Sequence, residues 1–388
     1  MSKTKNNVLK LVSFLIIVAI LSSLCFSTNL INVNATFDTN LKHKSSVLVD
    51  YATGKVLVDN NSHEKLPIAS VTKLMTILLT LEEIDSGNLN TTDKIVVSEN
   101  ASGMGGSQIF LDTNSEYEIG ELLKSVIVCS ANDSSVALAE HIAGSEKNFV
   151  RLMNEKANTL GLNDTNYSNC TGLPTNDGYS SAHDQAIVLK HVLQFDLYHD
   201  YSSIWMEDFL HPSGRTTQMT NTNKLSRFYE GCIGGKTGST NQAKYCLAVG
   251  AERNNTKFIA VVLGAENSKD RFKLASDLLN HGFANFESKT IFGNNDLKDK
   301  TIKIKNSNNV ITLKAEKEYS VITNKNEEIN YSLCFHLPNQ IKHVKENDIV
   351  GNVEIIVDGV VVDTINILSC NTYIEPSIWD NFKEIIKA

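Results

Sequence analysis

The sequence predicts an α+β protein, an antiparallel sheet flanked by helices and then a small all-β domain. Three observations predict it. A strand–turn–strand pattern opens the globular part, and strands return only after Cys232. Helical patterns fill the interval between them. From about Ser288 onward the pattern is almost wholly strand-like. The chain has 388 residues, enough for two to three domains at about 150 residues each.

Residues 1–35 read as a secretory signal. Lys3, Lys5 and Lys10 precede an apolar run from Leu11 to Phe26, and no acidic residue appears before Asp38. Val33-Asn34-Ala35 supplies a small-x-small cleavage site. The alternative is an uncleaved anchor, but the apolar run is shorter than the ~20 residues a spanning helix needs. Cys25 suggests a lipoprotein, yet Leu24 before it is large where such signals carry small residues.

The globular part opens with Ser46–Asp50 and Val56–Asp59 around Thr53-Gly54, a turn signal. A helix over about 71–84 places Leu74, Ile77, Leu78 and Leu81 on one face. Further helices are predicted over Ile119–Val128, from Ser134 through Ile142, over Phe149–Leu160 with Gly161 as the stop, and over Ala182–Leu193. Tyr245–Val249 and Phe258–Leu263 are strands around Arg253-Asn254-Asn255, and a helix over Arg271–Phe283 closes the region. In the last part Ile302–Lys305, Val310–Leu313, Ile329–Phe335, Val353–Val357 and Val360–Ile367 are strand-like. Asp358-Gly359 joins the last two as a two-residue hairpin. Ile378, Trp379, Phe382, Ile385 and Ile386 fall on one helical face of the tail. That segment is too short to span a bilayer. It can lie in the membrane interface or dock on the protein's own surface.

Charge and cysteines exclude several classes. The formal net charge is −8, and loss of the first three lysines with the signal makes it −11. No Lys/Arg block stands out, so no nucleic-acid partner is expected. Beyond Cys25 the cysteines are 129, 170, 232, 246, 334 and 370, with no C-x-x-C, so neither a zinc knuckle nor a dense disulfide framework is indicated. A Cys232–Cys246 bridge has no support from spacing. His63, His141 and His183 are scattered with no H-E-x-x-H, so no metal is expected in the site.

The chemistry lies in three short motifs. Ser70-Val71-Thr72-Lys73 is S-x-x-K, Ser130-Ala131-Asn132 is S-x-N and Lys236-Thr237-Gly238 is K-T-G. Ser and Lys three apart share a helix face. A serine hydroxyl needs a base to become a nucleophile, and Lys73 serves if burial or cationic neighbours lower its pKa. Ser130 and Asn132 interrupt an apolar helical region and need partners. Ser130 can pass a proton between a lysine and a leaving amine, and Asn132 can hold Lys73 and a substrate amide. Lys236-Thr237-Gly238 opens a strand. There Gly238 lets a substrate backbone approach, and Thr237 and Ser239 can bind a carboxylate. The N–H groups of Ser70 and Ser239 can form an oxyanion hole. A phosphate loop, the competing reading of Gly235-Lys236-Thr237, needs glycine where Glu230 stands.

Together, in this order, the motifs resemble those of the penicillin-binding, active-site-serine D,D-peptidases and their β-lactamase relatives. Within that group the chain resembles the low-molecular-mass D-alanyl-D-alanine carboxypeptidases. Met104–Gln108, Phe149–Lys156, Thr171–Pro174 and Asn221–Leu225 add to the likeness, which is close over about residues 40–285. It implies a β-lactamase/D,D-peptidase-like catalytic domain over 36–287, a C-terminal β domain over 288–373 and an amphipathic membrane-associating helix over 374–388. It implies that Ser70 attacks the penultimate D-alanine of a peptidoglycan stem peptide with Lys73 as base, and that Ser130 with Lys236 protonates the departing D-alanine. Asn132, Thr237, Gly238 and Ser239 would bind substrate. No cofactor is implied. The implied partners are peptidoglycan stem peptides, β-lactam antibiotics as inhibitors and, through the tail, the membrane surface. The implied location is the outer face of the cytoplasmic membrane or the cell wall. Alternatives are a D,D-endopeptidase, a β-lactamase and a catalytically silent wall-binding protein. The commonest β-lactamases use a glutamate after the second motif, but no glutamate lies between Glu155 and Glu207. One departure is Cys129, directly before Ser130.

Overall fold

The computed structural model describes residues 37–374 except 306 and 308. The expected signal over 1–35 and nearly all of the expected tail helix lie outside the described residues.

The first strands, β1 (Ser45–Asp50) and β2 (Val56–Asn60), form the expected hairpin. A 3-10 turn, Ala69–Thr72, runs directly into helix α1, Lys73–Asp85. The expected single apolar face underestimates α1. Met75 is as fully enclosed as Leu74 and Ile77, and Thr76, Thr80 and Lys73 are buried too. This is a central helix, covered on almost every side.

A small lobe follows. Strand β3 (Lys94–Val96) pairs with β4 (Glu116–Glu118), with α2 (Glu99–Ser102) between them. Helix α3 spans Ile119–Val128, and α4, Asn132–Ala143, ends at Gly144 in the left-handed conformation that glycine adopts at no steric cost. Ser145 caps α5 (Glu146–Thr159) by accepting from the Asn148 N–H, and Ser181 caps α6 (Ala182–Val192) by accepting from the Asp184 N–H. Helix α7 (Asp196–Ser202) precedes a hairpin of β5 (Met206–Leu210) and β6 (Thr216–Thr220). Helix α8 (Leu225–Phe228) leads into β7 (Cys232–Thr240).

Strands β7, β8 (Lys244–Arg253) and β9 (Thr256–Ala265) complete one five-stranded antiparallel sheet in the order β2-β1-β9-β8-β7. Both faces are covered, which is why β9 reads as a continuous apolar run rather than an alternation. Val47, Val49, Ile259 and Val261 face the helical core with α1 and α3. On the opposite face α9 (Ser268–Asn285) lies against Phe258 and Leu48, so close that a Cβ on Gly282 would sit 2.9 Å from the Phe258 ring. The first and last strands in sequence, β1 and β9, pair in the middle of this sheet, so β2 and β7 are its edges and β7 has one side without a strand partner among the described residues. The third motif sits there.

The rest of the described chain is all β apart from one 3-10 turn, Asn294–Leu297. Strand β10 (Phe286–Phe292) pairs with β13 (Tyr319–Asn324). The strands β11 (Thr301–Ile304), β12 (Val310–Ala315), β14 (Tyr331–His336), β15 (Gln340–Ile341), β16 (Ile349–Val357) and β17 (Val360–Ser369) form a second sheet. Its order is β14-β16-β17-β12-β11-β15. Its core is Phe292, Ile302, Ile304, Ile311, Val353, Ile355, Ile365 and Ile367. The β16–β17 turn has φ of 50° at Asp358 and 80° at Gly359, the two positive values that a tight hairpin matching strand twist requires. The fold is thus the α+β arrangement expected, with an antiparallel sheet between helices and an all-β part after it. Cys232 and Cys246 are both free thiols.

Candidate active site

The three motifs converge where α1, the α3–α4 junction and the free edge of β7 meet. Ser70 lies in the 3-10 turn and Lys73 one turn on, at the start of α1. The Lys73 Nζ donates to Ser70 Oγ at 3.1 Å and to the Thr171 carbonyl. Lys73 is wholly buried. Burial disfavours the ammonium and lowers its pKa from the ordinary 10.5 to about 7. A lysine in this state has a large neutral fraction at physiological pH, which is what a base for a serine hydroxyl requires.

Ser130 and Lys236 form the second pair. Lys236 Nζ donates to Ser130 Oγ at 2.7 Å and to the Thr237 carbonyl at 3.2 Å. Lys236 is 1% exposed. Burial first, and then repulsion from Lys73, hold its pKa well below the ordinary lysine value. Two buried amines near one serine pair favour a shared, mobile proton over two fixed charges.

Backbone strain is concentrated at the same place. Ala69, directly before Ser70, has φ of 49°, and Ser130 has φ of 67°. Left-handed geometry costs a non-glycine residue about 1–2 kcal/mol. Both hydroxyls are therefore presented by backbone that the surrounding packing holds in place.

Asn132 does not hold Lys73, contrary to the expectation. Its Nδ2 donates to the Gly105 carbonyl at 2.6 Å, its N–H donates to the Ser107 carbonyl, and its buried Oδ1 has no hydrogen-bond partner among the described residues. An unpaired buried amide oxygen is costly. Here it leaves one acceptor open beside the Ser130–Lys236 pair. The Thr171 carbonyl, which spacing could not reveal, takes the place assigned to Asn132 beside Lys73.

The third motif is also placed differently. Lys236-Thr237-Gly238 lies in the middle of the nine-residue β7, not at its opening. Gly234 and Gly235 weaken the strand signal ahead of the motif, so its true start is hidden. Gly238 is needed for the packing of the site itself. A Cβ there would sit 2.7 Å from the Ile68 carbonyl oxygen and 2.9 Å from the Ser70 nitrogen. The serine turn itself occupies that space. Thr237 is buried and Ser239 exposed along the same edge.

Sequence reasoning missed several groups. Asp133, wholly buried, accepts from the N–H groups of Ile109 and Leu111 and so fixes the loop that carries Gly105. Gly172, at φ of 77°, would bring a Cβ within 2.0 Å of the Ala69 carbonyl oxygen. Only glycine fits there. The Thr171-Gly172 pair in the stretch already singled out was the available signal. Arg271 donates through Nη1 to the carbonyls of Gly238 and Cys246. It braces β7.

Residues 32–267 match the D-alanyl-D-alanine carboxypeptidase family. The chain belongs to that family. Residues 286–374 match a second family, the C-terminal domain of penicillin-binding protein 5. The D-alanyl-D-alanine carboxypeptidase DacF of Bacillus subtilis is 41% identical over 288 residues, 74% of each chain. The D-alanyl-D-alanine carboxypeptidase DacA of Haemophilus influenzae is 35% identical over 272 residues, 68% of each chain. In three dimensions the chain is similar to penicillin-binding protein 5 from Haemophilus influenzae, with a TM-score of 0.69 and 29% identity, over 87% of this chain and 99% of that one.

Cys129 sits directly beside Ser130. Burial pushes its thiol up to about 12, and its Sγ donates to the Ser125 carbonyl at 3.2 Å. A thiol held protonated in this way is a poor nucleophile.

Gly238→Ala provides a test of the close approach between β7 and the serine turn. It should slow acylation by penicillin roughly 100-fold, because displacement of about 1 Å at a reacting group costs that much. Stopped-flow or gel-based labelling rates measure it, and a rate within about threefold of wild type would contradict the packing argument.

Proposed function

We propose that this chain is an exported serine D-alanyl-D-alanine carboxypeptidase. It removes the terminal D-alanine from peptidoglycan stem pentapeptides and is acylated by penicillins. The observation that carries the reading is the wholly buried Lys73 amine, with its pKa near 7, hydrogen-bonded to Ser70 Oγ.

Lys73 takes the Ser70 proton as Oγ attacks the carbonyl of the penultimate D-alanine. The oxyanion is stabilised by the Ser70 and Ser239 N–H groups. As the tetrahedral adduct collapses, the C–N bond breaks. Ser130, tied to Lys236, delivers a proton to the departing amine. Asn132 Oδ1 accepts from the substrate amide, and Thr237 and Ser239 hold the terminal carboxylate beside β7. Gly238 keeps the strand close to Ser70. Water then hydrolyses the Ser70 ester. The free edge of β7 supports this arrangement, since its outward backbone groups are available to an extended peptide. On the same reading, the catalytic domain spans 36–287 and the β domain 288–373.

Digestion of purified muropeptides, with the products identified by mass, tests the function. Loss of one D-alanine from pentapeptides is expected. Cleavage of cross-links without pentapeptide trimming would contradict it.

Export over residues 1–35 and an amphipathic membrane contact over 374–388 complete the reading. With net charge −11 after signal removal, that contact rests on apolar residues, since anionic lipids repel an acidic surface. Among the described residues no helix is long and apolar enough to cross a membrane. Deleting 374–388 should move signal-cleaved protein from the membrane fraction to the soluble one. Unchanged fractionation would contradict the contact.

A further inference from the structure

The second sheet brings together three side chains whose chemistry the peptidase reaction does not use. Cys334 and His336 lie two residues apart on β14, and Glu354 lies on the neighbouring β16, directly opposite Cys334 in the register. A two-residue spacing puts Cys334 and His336 on one face of the strand. Leu333 and Phe335 between and beside them turn the other way, against the core of the sheet. Val353 and Ile355 flank Glu354 and are fully buried in that core, so Glu354 also faces solvent. One ligand atom from each of the three lies within 4.8 Å of the others.

We propose that Cys334, His336 and Glu354 form a zinc-binding site, with water as the fourth ligand. Sulfur, imidazole nitrogen and carboxylate oxygen are the donor set that Zn²⁺ takes. Thiolate and carboxylate together neutralise the ion's two charges. Tetrahedral bonds of about 2.0–2.3 Å place ligand atoms roughly 3.4–3.6 Å apart. His336 Nε2 and Glu354 Oε2 are already 3.4 Å apart. Only the Cys334 Sγ has to close in, and it is a free thiol. Zinc binding would replace the thiol proton with a Zn–S bond and release the proton to solvent. Because β14 is an edge strand, paired only with β16, the ion would also clip that edge to its one neighbour. Sequence spacing hides the site, since the ligands come from two strands and no C-x-x-C or H-x-x-x-H is present.

The test uses full-length protein treated with a chelator and then titrated with Co²⁺ and Zn²⁺. A thiolate-to-cobalt charge-transfer band should appear at one equivalent. It should vanish in Cys334→Ser. Zinc affinity, measured against a chromophoric chelator, should fall at least about tenfold in Cys334→Ser, His336→Ala and Glu354→Gln alike. Thermal unfolding of the metal-free variants should match that of metal-free wild type, which shows that the substituted sheet is folded. A wild-type protein without the band, a band that persists in Cys334→Ser, or affinity unchanged in the variants would each overturn the proposal.

Discussion

Replacing Ser70 with alanine is expected to abolish both D-alanine release and covalent labelling by penicillin. Loss of a catalytic nucleophile removes the acyl-enzyme route altogether, and a drop on the order of 10⁴-fold or more is the usual consequence. The residual rate would come from the oxyanion hole and from binding. The substitution should leave the fold alone. Ser70 is half-buried in a short helical turn, and its Oγ receives a hydrogen bond from Lys73. Thermal unfolding within about 1 kcal/mol of wild type is therefore expected. Non-covalent penicillin binding should survive, because Asn132, Thr237 and Ser239 are untouched. Equal labelling of the variant and the wild type would place the nucleophile elsewhere and remove the basis of the mechanism.

Lys73→Ala should slow acylation by roughly 10²–10⁴-fold, the range that a positioned general base contributes. The pH profile tests the same residue without changing it. The acting form is the neutral amine, and burial lowers the Lys73 pKa to about 7. Acylation should thus rise about tenfold per pH unit well below pH 7 and level off above it. An ordinary lysine would keep rising until about pH 10.5. The profile should lose this limb in the alanine variant, whose remaining rate has no Lys73 to titrate. Lys236 faces the same serine pair and is also shifted down, so the limb belongs to the coupled amines together. A rate independent of pH between about 5 and 8 would contradict the assignment of Lys73 as base.

Much of this was legible from the residues. Hydrophobic periodicity located the long helices and the strands of the main sheet because both are bounded by strong signals, such as Gly161 after α5 and Asn254-Asn255 between β8 and β9. The side chains of the candidate site were legible because serine, lysine and asparagine at fixed spacing are rare in an apolar helical setting. Strands β3 to β6 were not. Each is short, and in β5 and β6 only Phe209 and Met219 are buried, so no alternation stands out. The backbone contributions were invisible for a different reason. The Thr171 carbonyl reaches Lys73 from 98 residues away, and a carbonyl leaves no mark in a sequence. Gly172 and Gly238 were visible as glycines, but the atoms that exclude a Cβ belong to Ile68, Ala69 and Ser70 in a distant segment. Asn132 shows the limit of motif reasoning. Its type predicted an amide near the lysine, yet packing gives its Nδ2 to Gly105 and leaves its Oδ1 without a protein partner among the described residues.

Mass spectrometry of the penicillin-treated protein, with peptide mapping of the adduct, tests the central claim most directly. One penicilloyl group should be found on the peptide containing Ser70, bound through that serine. An adduct on any other residue, or an unmodified protein after saturating exposure, would contradict it.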